Sequence, residues 1–175
     1  MTPDGVCQAF EKNLEKGRYA WYTESNVNKG DFPFMSEMQE RMEHRLEQNS
    51  FMNYTHQILE LVEKDHAVFR MDIFPESHNS FGMVHGGVLY TLADNATGCA
   101  AHSDGRHYVT QGSNFNFLRN QPQGTIHAEA WVRHRGGKTC LIDVDVTGDE
   151  GTLLATGTFT YFCVDRSKFE EKSRK

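Results

Sequence analysis

The chain lacks long hydrophobic runs, a secretion signal and an excess of basic residues, and each absence excludes a class of protein. No apolar run approaches the ~20 residues that a membrane-spanning helix needs. The first thirty residues lack the basic-then-apolar pattern of a signal peptide. The formal net charge of -6 gives no general basic surface for nucleic-acid phosphates. We therefore expect a soluble, cytoplasmic protein that binds neither nucleic acid nor membrane.

Cysteine is also scarce, with four residues in 175. Cys7, Cys99, Cys140 and Cys163 are widely spaced and form no Cys-x-x-Cys pair, so neither a zinc site nor a disulfide framework is expected. The nine histidines are scattered and include no His-Glu-x-x-His run. We predict no metal and no cofactor.

Residues 1–52 are predicted to form a helical N-terminal extension. One helix should begin at Thr2 and Pro3 and end at Gly17. A second should begin at Ser36, where Ser36 and Gln39 form a capping box. The apolar stripes are Val6, Phe10 and Leu14 in the first helix and Met38, Met42 and Leu46 in the second.

Residues 53–165 are predicted to form one α+β domain. A strand pair at 55–64 and 66–74 precedes a helix at 85–101, and strands follow at 108–118, 125–135, 138–147 and 152–164. The helix is apolar on nearly all sides and should therefore be buried. The expected architecture is a curved antiparallel sheet around this central helix. Residues 166–175 should be a flexible charged tail.

The stretch HNSFGMVHGGVLYTLADNATG, residues 78–98, places several polar groups at and within this buried helix. His85 precedes Gly86 and Gly87 at the helix start, where the first backbone N–H groups have no partner inside the helix. Glycine leaves these donors unshielded and the helix dipole adds positive potential, which suits an oxyanion hole. The alternative is that the glycines only let the helix and the sheet approach closely.

Asp94 lies amid apolar residues in the middle of the same helix, where an ionised carboxylate is costly unless it is paired or functional. The alternative is an Asp that faces solvent or bonds to Thr91 or Thr97. On a straight helix, Gly86 and Asp94 are separated by roughly 12 Å along the axis and about 80° around it. They cannot both reach one small reacting group, so a shared reaction predicts a site across a two-fold dimer interface.

These residues carry a resemblance to a known family. The spacing of Asn79, Gly82, the His85-Gly86-Gly87 run and Asp94 resembles that of the hotdog-fold acyl-CoA thioesterases, in their phenylacetate-pathway (PaaI-type) branch. The resemblance covers roughly residues 54–164. It implies the hotdog fold and hydrolysis of an acyl-CoA or aryl-CoA thioester.

The resemblance also implies roles for individual residues. Asp94 would activate the hydrolytic water or attack directly, and the Gly86 N–H would hold the thioester oxygen. Asn79 and His85 would orient the thioester or the water, and Thr110 would assist Asp94. The protein would be a homodimer, with a dimer of dimers common among relatives.

The CoA phosphates would meet the hairpin RHRGGKT, through Arg133, Arg135, Gly136, Gly137 and Lys138. The alternative for this hairpin is a solvated basic turn. For the whole protein, the alternative is a hotdog protein that binds acyl-CoA without hydrolysing it. The pattern of a hotdog dehydratase is not evident in the sequence.

Overall fold

The computed structural model describes residues 8–13, 18–23 and 49–164, together with Met42, His44 and Leu46. Backbone contacts divide the chain into two compact units, Met1–Met35 and Ser36–Lys175. Within the described residues, no helix combines the length and the apolar character needed to cross a membrane. The predicted tail at 166–175 lies outside the described residues.

In the first unit, strand β1 (Gln8–Asn13) pairs antiparallel with strand β2 (Arg18–Thr23). The helical extension predicted for residues 1–52 is therefore wrong over residues 8–13 and 18–23, while Val6 and Leu14 lie outside the described residues. Aromatic residues in the RYAWYT segment favour a strand, and pairing satisfies the backbone groups of both segments. Three apolar residues at helical spacing were a weaker signal than this pairing.

The second unit begins, in the described residues, with helical positions at Met42, His44 and Leu46. These agree with the second predicted helix, whose start at Ser36 and whose residues Met38 and Gln39 lie outside the described residues. A short helix follows at Ser50–Tyr54, and the side chain of its N-cap, Asn49, accepts a hydrogen bond from the Met52 N–H at 3.2 Å. Met42 is buried and Leu46 packs against the core.

Six antiparallel strands form the main sheet, in the spatial order β3-β4-β6-β7-β8-β5. Their bounds are β3 Ile58–Glu63, β4 His66–Asp72, β5 His107–Phe117, β6 Thr125–Arg135, β7 Thr139–Thr147 and β8 Leu153–Val164. Every predicted strand of this domain is present within a few residues of its expected bounds. The structure thus confirms the α+β class, and it places β3 and β5 at opposite edges.

The central helix spans Gly86–His102 and packs on the inner face of this sheet. The core residues alternate along the strands, as in β7, where Cys140, Ile142, Val144 and Val146 are fully buried while Leu141 is 39% exposed. The helix contributes Leu89, Leu92, Ala93 and Ala96, all buried. Burying each large apolar side chain contributes about 1.5–3 kcal/mol, so the core fixes the helix against the strands that carry the site.

Strand β5 is an edge strand, and it is irregular near its start. Its register against β8 shifts between Thr110 and Gly112, which indicates a β-bulge at this point. Residues 109–114 of β5 are exposed. Within the described residues, β5 pairs only with β8.

Candidate active site

Asn79 organises the loop that precedes the central helix. Its Oδ1 accepts hydrogen bonds from the backbone N–H groups of Phe81 at 2.8 Å and Met83 at 3.2 Å. Gly82 between them has a φ of +71°, a conformation that favours glycine. Oδ1 therefore holds the loop, and the Asn79 amide nitrogen, which has no acceptor among the described residues, is the group left to donate to a ligand.

His85 is the N-cap of the central helix. Its Nδ1 accepts a hydrogen bond from the Gly87 N–H at 2.8 Å, and its carbonyl accepts from Val88 at 2.9 Å. The backbone N–H group of Gly87 is therefore occupied by this cap. Of the two glycines, Gly86 thus keeps an N–H group with no acceptor in the part of the chain that the structure describes.

Gly86 also lies against an aromatic ring. A Cβ atom added there would stand 3.2 Å from Cε1 of Phe117, which is at the end of β5. Close packing of the helix against this ring therefore favours glycine at position 86, although the ring is 56% exposed and has room to shift. It leaves the unpaired N–H group in place, so the two interpretations of the glycine are compatible.

Asp94 is half-buried, and one oxygen of its carboxylate accepts the hydrogen bonds that the described residues donate to it. Oδ1 accepts from Thr110 Oγ1 at 2.9 Å and from the Tyr161 hydroxyl at 3.1 Å. Oδ2 has no donor among the described residues. Thr91 and Thr97 donate to the carbonyls of Gly87 and Ala93 instead, so the predicted alternative, in which one of them pairs with the carboxylate, is wrong.

Tyr161 is the residue at this site that the sequence analysis missed. It is 2% exposed, and its hydroxyl lies 2.9 Å from the backbone carbonyl oxygen of Asp94 and 2.9 Å from Thr97 Oγ1. Burial, followed by the charge of Asp94, raises the pKa of the Tyr161 hydroxyl above its ordinary value. The alternation of β8 places Tyr161 on the inner face, but only the register with β5, in which it lies opposite Thr110, reveals the contact.

Asp94, Thr110 and Tyr161 border a cavity of about 290 Å³. The helical segment before the domain contributes Met42 and Leu46 to its wall. The remaining lining residues are Asn49, Asn95, Gly98, Cys99, His102, Tyr108 and Val109. A carboxylate with one unpartnered oxygen thus lies beside a space large enough for a small acyl group.

Arg135 belongs to a different cluster, at the C-terminal end of the central helix. Its guanidinium donates to Asp65 Oδ1 at 2.8 Å and to the helix carbonyls of Ala101 at 2.7 Å and Ala100 at 3.0 Å. It also lies 3.0 Å from Asp104 Oδ2. These contacts occupy the guanidinium, so the expected contact of Arg135 with CoA phosphates does not fit, and we assign it a structural role.

The other predicted CoA residues remain accessible on the hairpin between β6 and β7. Arg133 has a side chain that is 67% exposed and pairs with Asp143 at 2.8 Å, and Lys138 is exposed. The carbonyls of Gly136 and Gly137 accept from Arg106 Nη1 at 3.3 and 3.1 Å. Arg106 thus holds the hairpin, a contact that sequence spacing alone does not show.

Asp94 and Gly86 lie near opposite ends of β5. Asp94 bonds to Thr110 near the start of this strand, and Gly86 lies against Phe117 at its end. The chain by itself does not bring the two residues together, as their spacing on the helix predicts. Among the described residues, no group of three or more His, Cys, Asp or Glu side chains is arranged to hold a metal ion. The cysteines that the structure describes, Cys99, Cys140 and Cys163, form no disulfide bond with one another.

The chain is similar to known proteins in both sequence and structure. Residues 81–155 match the model of the thioesterase superfamily. The acyl-coenzyme A thioesterase PaaI of Escherichia coli is 29% identical over 123 residues, covering 65% of this chain and 88% of that protein.

Two solved structures are also similar. The structure of E. coli PaaI has a TM-score of 0.71 at 24% identity, covering 73% of this chain and 94% of that chain, and shows the fold. A hypothetical thioesterase of Streptococcus pneumoniae, solved with coenzyme A, is 32% identical with a TM-score of 0.59, covering 62% of this chain and 88% of that chain. By its fold and by these similarities, the chain belongs to the thioesterase superfamily as a PaaI-type hotdog protein, a class of thioester hydrolases.

Proposed function

We propose that this protein hydrolyses the thioester of an acyl-CoA, using Asp94 of one subunit and the helix start of a second. The observation that carries the proposal is the Asp94 carboxylate, with one oxygen held by hydroxyls and the other open beside a cavity. The names of the relatives supply the substrate class: PaaI is an acyl-coenzyme A thioesterase, and the streptococcal structure contains coenzyme A.

The edge strand β5 supports a shared site. It is eleven residues long, and it exposes 42% of Val109 and 56% of Phe117. A long exposed edge is a template for pairing with another chain. If β5 pairs antiparallel with its copy about a two-fold axis, the start of one strand lies opposite the end of the other. Asp94, near the start, then approaches the partner's Gly86, near the end.

The chemistry follows from this arrangement. The partner's Gly86 N–H, assisted by the helix dipole, stabilises the negative charge that develops on the thioester oxygen. Asp94 Oδ2 removes a proton from a water that attacks the carbonyl carbon. Alternatively, Oδ2 attacks that carbon itself, and water then hydrolyses the mixed anhydride. In both routes the C–S bond breaks, CoA leaves as the thiol after protonation, and the acyl group leaves as the free acid.

The remaining assignments follow the same geometry. The Asn79 amide nitrogen and His85 Nε2 are the groups at the helix start that can still contact the thioester or the water. Thr110 holds Asp94. Arg133 and Lys138, on the hairpin with Gly136 and Gly137, contact the CoA phosphates, for which exposed cationic side chains are suited.

Mixing two inactive variants tests the shared site. An Asp94→Asn subunit lacks the base, and an Asn79→Ala subunit lacks a group at the helix start. In a heterodimer, one site combines Asp94 from the second subunit with Asn79 from the first and is intact. Half of the dimers in an equal mixture are heterodimers with one intact site of two, so about a quarter of the wild-type rate should return.

The assay measures thiol release from acyl-CoA esters of short, medium, long and aromatic acyl groups. Native mass spectrometry of the mixture establishes that subunits have exchanged. A mixture that contains heterodimers but remains inactive would refute the shared site. Tight CoA-ester binding by the wild-type protein without thiol release on any ester would refute the hydrolase proposal.

A further inference from the structure

We propose that Tyr161 is a positioning residue for Asp94: together with Thr110 it donates to Oδ1 and so directs Oδ2 to the reaction. The inference rests on the proposed function, because Tyr161 has this task only if the Asp94 carboxylate reacts. It adds a residue of β8 to a site that the sequence pattern confines to the helix, the preceding loop and β5.

The geometry explains how two hydroxyls select one oxygen. The terminal torsion of an aspartate is broad, so a free carboxylate samples many orientations. Thr110 and Tyr161 lie opposite each other on neighbouring strands, and both reach Oδ1, at 2.9 and 3.1 Å. Two donors fixed by the same pair of strands restrain the carboxylate rotation, and Oδ2 remains the free acceptor.

Tyr161 is itself held in a fixed position, so its hydroxyl can fix the orientation of the Asp94 carboxylate. Its ring is in the core, and its hydroxyl contacts Thr97 Oγ1 and the backbone carbonyl oxygen of Asp94, both at 2.9 Å. Its single proton faces three acceptors, namely this carbonyl, Thr97 Oγ1 and Asp94 Oδ1, and the proposed role uses the bond to Oδ1. A Cβ atom at Gly98 would stand 3.4 Å from this hydroxyl, so the helix surface fits closely around it. Since burial and the charge of Asp94 raise the pKa of Tyr161, the hydroxyl stays protonated and remains a donor.

Other titratable groups border the same cavity, namely Cys99, His102 and Tyr108. His102 Nδ1 donates to the Gly98 carbonyl at 2.6 Å, and its Nε2 accepts from the Tyr108 N–H at 3.1 Å. The Tyr108 hydroxyl donates to Asp104 at 3.0 Å. Tyr108 is thus a second tyrosine on the cavity wall whose hydroxyl serves another carboxylate, which makes it a matched control.

The test is the pH profile of kcat for Tyr161→Phe. A hydrogen bond to the charged form of an acid favours that form, so loss of the Tyr161 donor should move the acid limb of the profile to higher pH. Loss of one hydrogen bond to a charged group should lower kcat on the plateau about tenfold. KM should stay within about twofold, because Tyr161 holds Asp94 and not the substrate.

Two further proteins control for packing. Tyr108→Phe removes the hydroxyl of a residue that also lines the cavity, but this hydroxyl bonds to Asp104 and not to Asp94, so the acid limb should stay at the wild-type pH. Incorporation of 3-fluorotyrosine at position 161 keeps the ring and the hydroxyl, adds one fluorine atom to the ring, and makes the hydroxyl a stronger donor. The acid limb should then move to lower pH, opposite to the shift in Tyr161→Phe.

The outcomes separate this inference from the proposed function. Tyr161→Phe with the kcat and acid limb of the wild type would overturn the inference, as would an equal shift in Tyr108→Phe. If Tyr161→Phe does not fold, an unchanged acid limb in the fluorotyrosine protein would overturn it. Full turnover by Asp94→Asn would instead overturn the proposed function, whatever the Tyr161 variants do.

Discussion

Two clusters of charge contact the central helix, one in its middle and one at its C-terminal end, and they differ in how completely they are paired. The Asp94 carboxylate receives both of its donors on one oxygen and borders a cavity. Arg135 has contacts on all sides, with two carboxylates and two helix carbonyls. A buried charged group whose hydrogen-bonding atoms are all paired maintains structure. A charged group that keeps an atom without a hydrogen-bond partner is available for chemistry.

Asp94→Asn tests the difference between the two clusters most directly. An amide cannot accept the proton or attack as a carboxylate does, so turnover should fall by about a thousandfold, while the free energy of unfolding changes little. Thiol release and urea unfolding measure the two effects. The matched control is Asp145→Asn, because Asp145 bonds to Thr156 on another part of the sheet, and it should keep wild-type turnover. A large loss of stability with little loss of turnover in Asp94→Asn would erase the distinction.

The converse variant is Arg135→Ala. It leaves Asp65 and Asp104 without their buried cation and removes the donors to Ala100 and Ala101, so the free energy of unfolding should fall by about 3–5 kcal/mol. Urea unfolding measures it. Arg133→Ala removes an exposed ion pair from the same strand and should cost less than about 1 kcal/mol. Equal costs for the two arginines would contradict the structural role of Arg135.

Acid should weaken the Arg135 cluster through Asp104. Burial alone would raise the pKa of Asp104, but hydrogen bonds from Arg106 and Tyr108, with the charge of Arg135, hold the pKa below its ordinary value of 3.8. A depressed folded-state pKa stabilises the protein above the unfolded value, and this contribution is lost as the pH falls through the folded value.

The measurement is urea unfolding of the wild type and Asp104→Asn from neutral pH to below pH ~4. The stability difference between the two proteins should be largest at neutral pH and should narrow in acid. A difference that does not change with pH would show that the Asp104 charge contributes nothing to this cluster.

The smallest expected effect is that of Lys138→Ala, on the hairpin beyond the Arg135 cluster. Loss of one exposed phosphate contact should raise KM for the CoA ester by a few fold and leave kcat unchanged, since surface charge pairs contribute about 1 kcal/mol or less. The rise should shrink at high salt. Lys64→Ala, at the turn between β3 and β4, removes the same charge elsewhere and should leave KM unaltered.

The parts of the molecule that the sequence predicted are those with a regular hydrophobic period. The central helix and the strands after it follow from periods of 3.6 and 2, and β6 begins and ends at the predicted residues. The first helix failed over residues 8–13 because apolar positions at helical spacing were interpreted without the aromatic segment that pairs with these residues. A hydrophobic period describes a single helix or strand. It does not show which other segment of the chain that helix or strand pairs with.

The site divides in the same way. The start of the helix after His85 and the spacing of Asp94 from Gly86 are properties of one helix and are visible in the sequence. The Tyr161 contact and the engagement of Arg135 depend on strand register and on loops that meet from distant parts of the chain. Arg135 was expected at a ligand because a basic hairpin looks the same whether its cations face solvent or are drawn inward by Asp65 and Asp104.

Adjacent residues of the central helix contact opposite edges of the sheet. Asp94 bonds to Thr110 on β5, while Asn95 donates to Gln57, directly before β3, at 2.7 Å. Side chains one position apart diverge by about 100° around a helix, so a single turn spans the distance between the two edges. The orientation of the Asp94 side chain is therefore coupled to the curvature of the sheet. A change that flattens the sheet would move the carboxylate even if it lay far from the cavity.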